Sequence, residues 1–213
     1  MSIEIPSVDT LKQEMLKSYS DEGFDEKIVN AMAEVPREEF VPEQYRKYAY
    51  LEVSLPLGVW DSYISTISQP WVVARMCQLL DLNGEEKVLE IGTGSGYHAA
   101  VLSHLSKEVV TVECISDLAQ SAQLRLSKLG YKNVKVIQGD GKEGYKEGGP
   151  YDRIIIEASG KYPPQELINQ LTDGGVLLMP IKRGSKERLV KFRKVGNELK
   201  EEFFDEVTFV ELV

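Results

Sequence analysis

The sequence predicts a doubly wound α/β domain with a mostly parallel sheet, a helical cap before it and a hairpin after it. Three observations carry this. From Lys87 onward, short apolar runs alternate with stretches of helical period, the pattern of a parallel sheet covered on both faces. A glycine loop, Gly92 to Gly96, stands at the first strand-to-helix turn. And 213 residues, 42% of them hydrophobic, are enough for one substantial core and few for a second, so residues 1–213 read as one domain.

Taken in order, residues 1–50 read as helical. Leu11, Met15 and Tyr19 recur every fourth position, and Ile28, Val29, Met32 and Ala33 make a second stripe that Pro36 ends. Residues 51–70, "LEVSLPLGVWDSYISTISQP", have no helical period and read as a structured loop with a short strand. A helix follows Pro70, with Val72, Val73, Met76, Leu79 and Leu80 inward. "KVLEI" is then a buried strand and "SGYHAAVLSHL" a helix; "EVVTVE" is a second strand. Ser116 to Leu129 is a helix stopped by Gly130. "NVKVIQGD" and "RIIIEA" are further strands, "PPQELINQL" a helix and "GGVLLMPI" a fifth strand. The tail holds two strand-like runs joined at Gly196-Asn197, a hairpin signal. The chain thus divides into a cap and lip (1–70), an α/β core (71–182) and a C-terminal hairpin (183–213).

Composition narrows the function. A net charge of −9 with no basic block disfavours a nucleic-acid partner. The two isolated cysteines, Cys77 and Cys114, suit a reducing compartment better than a disulfide scaffold. The first residues have no signal-peptide pattern and no apolar run is long enough to span a bilayer, so a soluble cytoplasmic protein is expected, and a monomer.

Ligands of doubly wound sheets sit beyond the carboxyl ends of the strands, which places the site at Gly92–Gly96. The spacing is G-x-G-x-G (Gly92, Gly94, Gly96). A nicotinamide dinucleotide fingerprint would need its third glycine where Tyr97 stands, and no Gly-Lys-Ser/Thr follows for a P-loop. Three acids end three consecutive strands: Glu90, Glu113 (21 residues after Gly92) and Asp140. This set suits S-adenosylmethionine, which carries no phosphate but an ammonium, a sulfonium, a ribose diol and an adenine. Glu90 is expected at the amino-acid end, Glu113 at the ribose hydroxyls and Asp140 at the adenine amine. Thr93, Ser95 and Tyr97 of the loop, Cys114 through its backbone, and Gly141 complete the expected cofactor site, and no metal is expected.

"TISQPWVVARM", "VLEIGTGSGYHAAVLSHL", "VTVE", "GDGKEGY", "PYDRIIIEA" and "LTDGGVLLMPI" together resemble the protein-L-isoaspartate O-methyltransferase family of class I methyltransferases, from about residue 34 to the end of the chain. The glycine loop alone indicates the class; "TISQP" is the specific part. The resemblance implies a Rossmann-like, seven-stranded, mostly parallel sheet with an antiparallel C-terminal edge. It also implies methyl transfer from S-adenosylmethionine to the free α-carboxylate of L-isoaspartyl residues in damaged proteins, which starts repair through a succinimide. Thr66, Ile67 and Ser68 would meet the substrate, with Ser68 as the active-site residue. Read without the resemblance, Ser68-Gln69-Pro70 is a helix N-cap, and both roles are compatible. His98 and His104, the two histidines, read as non-catalytic.

Three departures from the family stand out. The approach to the serine, "LPLGVWDSYISTIS", is longer, with Ser65 where glutamine is usual. Glu157 adds a charge after the fourth core strand, as a ligand contact or a solvated strand end. Trp71 replaces a common His or Tyr. Tyr97, Trp60 and Tyr63 are either walls for a peptide or ordinary packing. The competing readings are another class I methyltransferase and a non-catalytic S-adenosylmethionine-binding protein. A DNA adenine enzyme would need Pro-Pro-Tyr/Phe where "EASG" stands, and a C5-cytosine enzyme a Pro-Cys that neither cysteine provides.

Overall fold

The computed structural model describes residues 5–60 and 63–212. The cap is built on α1 (Val8–Asp21) and α2 (Glu26–Glu34). Leu11, Met15 and Tyr19 are buried along α1, and the Ser7 hydroxyl caps its start by accepting from the Thr10 N–H at 3.1 Å. In α2 the buried residues are Ile28, Val29, Ala31 and Met32. Ala33, expected in that stripe, is only partly buried: five positions after Ile28 it has rotated off the inner face, and Ala31 takes its place. Two 3₁₀ turns, Arg37–Phe40 and Glu43–Tyr48, finish the cap.

Residues 51–70 differ from expectation. They form an antiparallel hairpin, β1 (Leu55–Trp60) and β2 (Tyr63–Ile67), that is separate from the main sheet. Pro56 and Gly58 flank an irregularity in the ladder and mask the strand alternation in the sequence. Leu55 and Ile67 are paired across the base and both are buried, which anchors the hairpin. Asp61 and Ser62 lie outside the described residues, as does the side chain of Tyr63. Next, α3 (Pro70–Leu79) starts with proline in its first turn, where the missing N–H has no partner to lose.

The core runs β3 (Lys87–Ile91), α4 (Tyr97–Leu105), β4 (Glu108–Glu113), α5 (Ser116–Leu129), β5 (Val134–Gln138), β6 (Tyr151–Ile156), α6 (Gln165–Gln170), β7 (Leu171–Arg183), β8 (Lys186–Val195) and β9 (Glu198–Glu206). One seven-stranded sheet has the order β5-β4-β3-β6-β7-β8-β9, parallel from β5 to β7 and antiparallel from β7 to β9. This is the expected doubly wound sheet with its antiparallel C-terminal edge. Helix α6 is shorter than "PPQELINQL" because Pro164 only caps it and the chain extends into β7 at Leu171.

Strand alternation sorts the core into two layers. Val88 and Val109 face α3, α4 and the cap, while Leu89, Ile91, Val110 and Val112 face α6 and the loop around Tyr145. By the same alternation Glu90 and Thr111 point to the α4 side. The chain leaves β3 toward β4 and β5 and returns to β6 on the other flank of β3. The switch point therefore lies between β3 and β6, and the loops after these two strands face each other across it. After β9, residues 207–212 turn back over this end of the sheet: Ser159 N donates to Val210 O (2.7 Å) and Leu212 N to Ser159 O (2.9 Å). Among the described residues no helix is long and apolar enough to cross a membrane.

Candidate active site

A cavity of about 1280 Å³ opens at the switch point. Its walls are the lip (Ser65 to Gln69), the glycine loop, the strand ends at Glu113 and Glu157, and the C-terminal tail from Glu206 to Leu212. Gly92, Gly94 and Gly96 have φ of 97°, 51° and 86°, a backbone region closed to most side chains. Crowding adds to this at two of them. A Cβ on Gly92 would stand 3.1 Å from Glu157 Cβ, and one on Gly96 3.1 Å from Leu126. At Gly94 the nearest neighbours are Leu57 (3.6 Å) and Ser65 Oγ (4.0 Å), so the hairpin lies directly over the loop.

The expected cofactor residues fall into distinct places. Thr93, Ser95 and Tyr97 belong to the loop and the first turn of α4. Thr93 shares a 2.6 Å hydrogen bond with Thr111, and Ser95 O accepts from Arg125 at 2.9 Å, so the loop is tied to β4 and α5. Glu113 is buried at the end of β4, where one oxygen accepts from Gly94 N (2.8 Å) and the other from Ile115 N (3.0 Å). Cys114 and Gly141 line the cavity, the Cys114 thiol being exposed. Asp140, expected at the adenine amine, is exposed next to Gly141 two residues past β5 and is not among the residues that line the cavity; one of its oxygens accepts from Lys142 N at 2.8 Å.

Glu90 is placed differently from expectation. It is fully buried under the loop, does not line the cavity, and neither carboxylate oxygen has a hydrogen-bond partner among the described residues. Its alternation on β3 turns it to the α4 side, and the loop closes over it. Burial pushes its pKa up to about 8; His98 opposes that rise and Glu157 adds to it. Glu157, open to two readings from sequence, is not a solvated strand end. Its carboxylate is 12% exposed, lines the cavity and accepts from His98 Nδ1 at 2.8 Å. His98 sits in the first turn of α4, buried, with Nε2 3.2 Å from Cys77 Sγ. Burial works against a charged imidazole there, but Glu157 and Cys77 outweigh it and hold the His98 pKa well above its ordinary value. One carboxylate oxygen each of Glu90 and Glu157 and one ring nitrogen of His98 lie within 4.8 Å of one another. His104 is exposed on α4.

On the lip, Thr66 is exposed, Ile67 buried and Ser68 half-buried, and all three line the cavity. The residue capping α3 is Gln69, so the cap reading of Ser68 does not hold; the Ser68 hydroxyl has no hydrogen-bond partner among the described residues. What holds Ser68 is Arg37, a residue that no motif in the sequence singles out. Its Nη2 donates to Ser68 O and its Nε to Ala49 O, both at 2.6 Å, and its guanidinium stands 4.6 Å from the Tyr97 ring centroid. Arg37 is completely buried, and burial pulls its pKa down while Tyr97 and Tyr19 resist. A single arginine thus joins cap, lip and the start of α4. The one signal for it is "PR" at the end of the α2 stripe, a charge where the chain enters the core. Tyr97 is packed against Arg37 and Phe40 rather than set as a peptide wall, and Trp60 folds over Gly58. Trp71 is tied to the cap by Nε1 to Glu22 (3.1 Å) and by its backbone N–H to Glu52 (3.0 Å).

Comparison with known proteins identifies the family. The profile of the protein-L-isoaspartate(D-aspartate) O-methyltransferase family matches residues 10–213. The protein-L-isoaspartate O-methyltransferase of Dictyoglomus thermophilum is 41% identical over 210 residues, covering 98% of this chain and 94% of the relative. That of Photorhabdus laumondii is 45% identical over 201 residues, covering 93% and 94%. A solved protein-L-isoaspartate O-methyltransferase superposes with a TM-score of 0.87 at 30% identity, over 94% of this chain and 65% of that one. A Plasmodium falciparum structure in complex with S-adenosyl-L-homocysteine shares the fold, with a TM-score of 0.77 at 23% identity over 95% of this chain and 98% of that one. The profile spans nearly the whole chain, and the chain belongs to the protein-L-isoaspartate(D-aspartate) O-methyltransferase family.

Proposed function

We propose that this protein transfers a methyl group from S-adenosylmethionine to the free α-carboxylate of L-isoaspartyl residues in damaged proteins and peptides, leaving S-adenosylhomocysteine. The methyl ester then closes to a succinimide, which reopens in part as normal aspartate. The observation that carries this reading is Ser68: a serine with an uncommitted hydroxyl, fixed by Arg37 at the wall of the cavity that the glycine loop opens, in a chain of this family.

The residues present fit S-adenosylmethionine. The loop N–H of Gly94 is already taken by the Glu113 carboxylate, so that donor is turned to the protein's own anion rather than to a phosphate. Glu113 Oε1 accepts from Ile115 N and from the Cys114 thiol, and Oε2, which accepts from Gly94 N alone, keeps a lone pair for a ribose hydroxyl. Gly92 to Gly96 bring backbone close to a ligand, and Cys114 and Gly141 flank the place for an adenine, with Asp140 next in the chain to Gly141 for its amine. When bound, the cofactor supplies an electrophilic methyl group.

The chain has little acid–base work to do. A backbone α-carboxyl has a pKa of about 3.5, so the acceptor is an anion at neutral pH without a general base. Ser68 donates from its hydroxyl to that carboxylate and orients it; Thr66 and Ile67 form the adjoining wall. The hairpin over Gly94 and the tail from Val207 to Leu212 exclude water, which makes positioning and desolvation the main contributions. Protein and peptide chains are the partners; the net charge of −9 opposes a nucleic-acid role, and a cytoplasmic monomer that needs no metal is the simplest form.

The test is transfer of labelled methyl to a peptide with one L-isoaspartyl residue, beside the same peptide with aspartate. Base-labile label on the isoaspartyl peptide alone is the expected result. Label on neither, with S-adenosylhomocysteine still bound, overturns the substrate and points to a non-catalytic binding protein.

A further inference from the structure

The sequence puts Glu90 at the cationic, amino-acid end of the cofactor, yet Glu90 is sealed beneath the loop. Another acid stands in the place it vacates. We propose that Glu157, aimed by His98, is the acceptor for a ligand ammonium group, the α-ammonium at the amino-acid end of the cofactor. The proposal rests on the S-adenosylmethionine reading above.

Position supports it. Glu157 is the first residue after β6, at the switch point. Its N–H donates to Ile91 O at 2.8 Å, and its Cβ is the nearest atom to the open side of Gly92. It therefore shares one wall with the start of the glycine loop, whereas Glu113 and Gly141 stand on the β4–β5 side. A ligand with its ribose at Glu113 has its opposite end at the β6 side.

Orientation supports it as well. Oε1 is engaged by His98 Nδ1, and His98 is itself held on its far side by Cys77. This clamps the carboxylate in one direction. Oε2 has no hydrogen-bond partner among the described residues and is not sealed off, and the residue lines the cavity. An oriented carboxylate with one free oxygen facing a cavity accepts from a cationic donor, and the three N–H groups of a primary ammonium fit it.

Charge is compatible with it. Burial keeps Glu90 protonated near neutral pH, so Glu157 is the carboxylate that faces the cavity, and its pair with His98 occupies only Oε1. The second oxygen of a largely buried carboxylate accepts a further cationic donor. Two cations qualify: the ammonium, and a divalent metal ion. The ammonium is favoured because only His98 and Glu157 of the three line the cavity; the Glu90 oxygens are closed off from it.

The experiment is calorimetry on the full chain with two ligands, S-adenosylhomocysteine and 5′-methylthioadenosine, which has the adenosine and thioether but no amino-acid end. E157Q is expected to weaken S-adenosylhomocysteine about tenfold or more and to leave methylthioadenosine unchanged, which also certifies the fold. H98A is expected to show the same selective loss, and H98Q, which keeps a side-chain donor for Glu157, to recover much of it. Equal weakening of both ligands in E157Q assigns Glu157 a structural role and overturns the proposal, as does no change in either. Dialysis against a chelator is expected to change nothing; loss of S-adenosylhomocysteine binding that zinc restores makes the cluster a metal site instead. Wild-type protein that binds neither ligand fails the cofactor reading itself, a result distinct from the failure of Glu157 alone.

Discussion

Ser68 and Arg37 show how a small group of atoms can be tested separately from the fold around it. The Ser68 hydroxyl caps nothing, so Ser68→Ala removes a donor while Gln69 and Pro70 still start α3. A hydrogen bond to a charged acceptor is worth about 1.5–3 kcal/mol, so kcat is expected to fall roughly 10- to 150-fold with thermal midpoint and S-adenosylhomocysteine affinity retained. Unchanged steady-state kinetics would retire the role. Arg37 acts through its neighbours. Its planar fork serves two carbonyls and one aromatic face at once, which a lysine ammonium cannot reproduce. Arg37→Lys is expected to lower kcat more than it weakens cofactor binding, because Ser68 loses its anchor while the glycine loop keeps Thr111 and Glu113. The glycine loop was legible in the sequence because it is a local pattern, whereas Ser68 was singled out only through the family resemblance of "TISQP". Arg37 and the Cys77–His98–Glu157 line were not: they join residues far apart in the chain, and a single basic or acidic letter reads as surface until packing buries it.

At the level of elements, two glycines of similar positive φ separate geometry from function. Gly130 ends α5 at φ 88°, and a Cβ added there would meet nothing within 4 Å, so Gly130→Ala costs only left-handed strain, about 1–2 kcal/mol. Gly92 is at φ 97° and adds a 3.1 Å approach to Glu157. Gly92→Ala is expected to lower the thermal midpoint by at least as much and also to weaken S-adenosylhomocysteine severalfold or more, whereas Gly130→Ala leaves affinity unchanged. Thermal melts with calorimetry on both variants check this; equal loss of affinity would place the binding defect in stability rather than in the loop. The same scale explains what was legible. The β3–α4–β4–α5–β5 run alternates short apolar runs with stretches of about 3.6 period, so its order of elements is readable. The lip hairpin is not, because Pro56, Gly58 and a ladder irregularity interrupt its alternation and its pairing partner is itself. Its position over Gly94 is a tertiary fact that no local pattern contains.

For the whole molecule, the sheet order places three ionisable groups from β3, α4 and the β6 loop under one roof, and this makes stability depend on pH. The order itself was foreseeable only as far as alternating strands and helices imply a doubly wound sheet; that β6 returns beside β3, and so brings Glu157 to His98, follows from topology. Glu90 faces His98, Glu157, Thr111 and Glu113. Its pKa rises from an ordinary 4.5 in the unfolded chain to about 8 in the fold, chiefly through burial. Between those values the unfolded chain has lost the proton that the folded chain keeps, so raising the pH favours unfolding. The stabilising contribution is complete below pH 4.5 and is lost as pH rises through about 8. His98 has the same sign: its folded pKa lies above 6.5, so its contribution is present below that value and declines as pH rises through the folded one. The thermal midpoint is therefore expected to fall from about pH 5 to about pH 9 at constant ionic strength. Glu90→Gln keeps an uncharged side chain of the same shape at every pH. It is expected to melt close to the wild type at about pH 5 and increasingly above it toward about pH 9, read by scanning calorimetry at one-unit steps. A variant whose midpoint falls as steeply as the wild type would mean that Glu90 does not hold its proton in the fold, and the slope would then belong to His98.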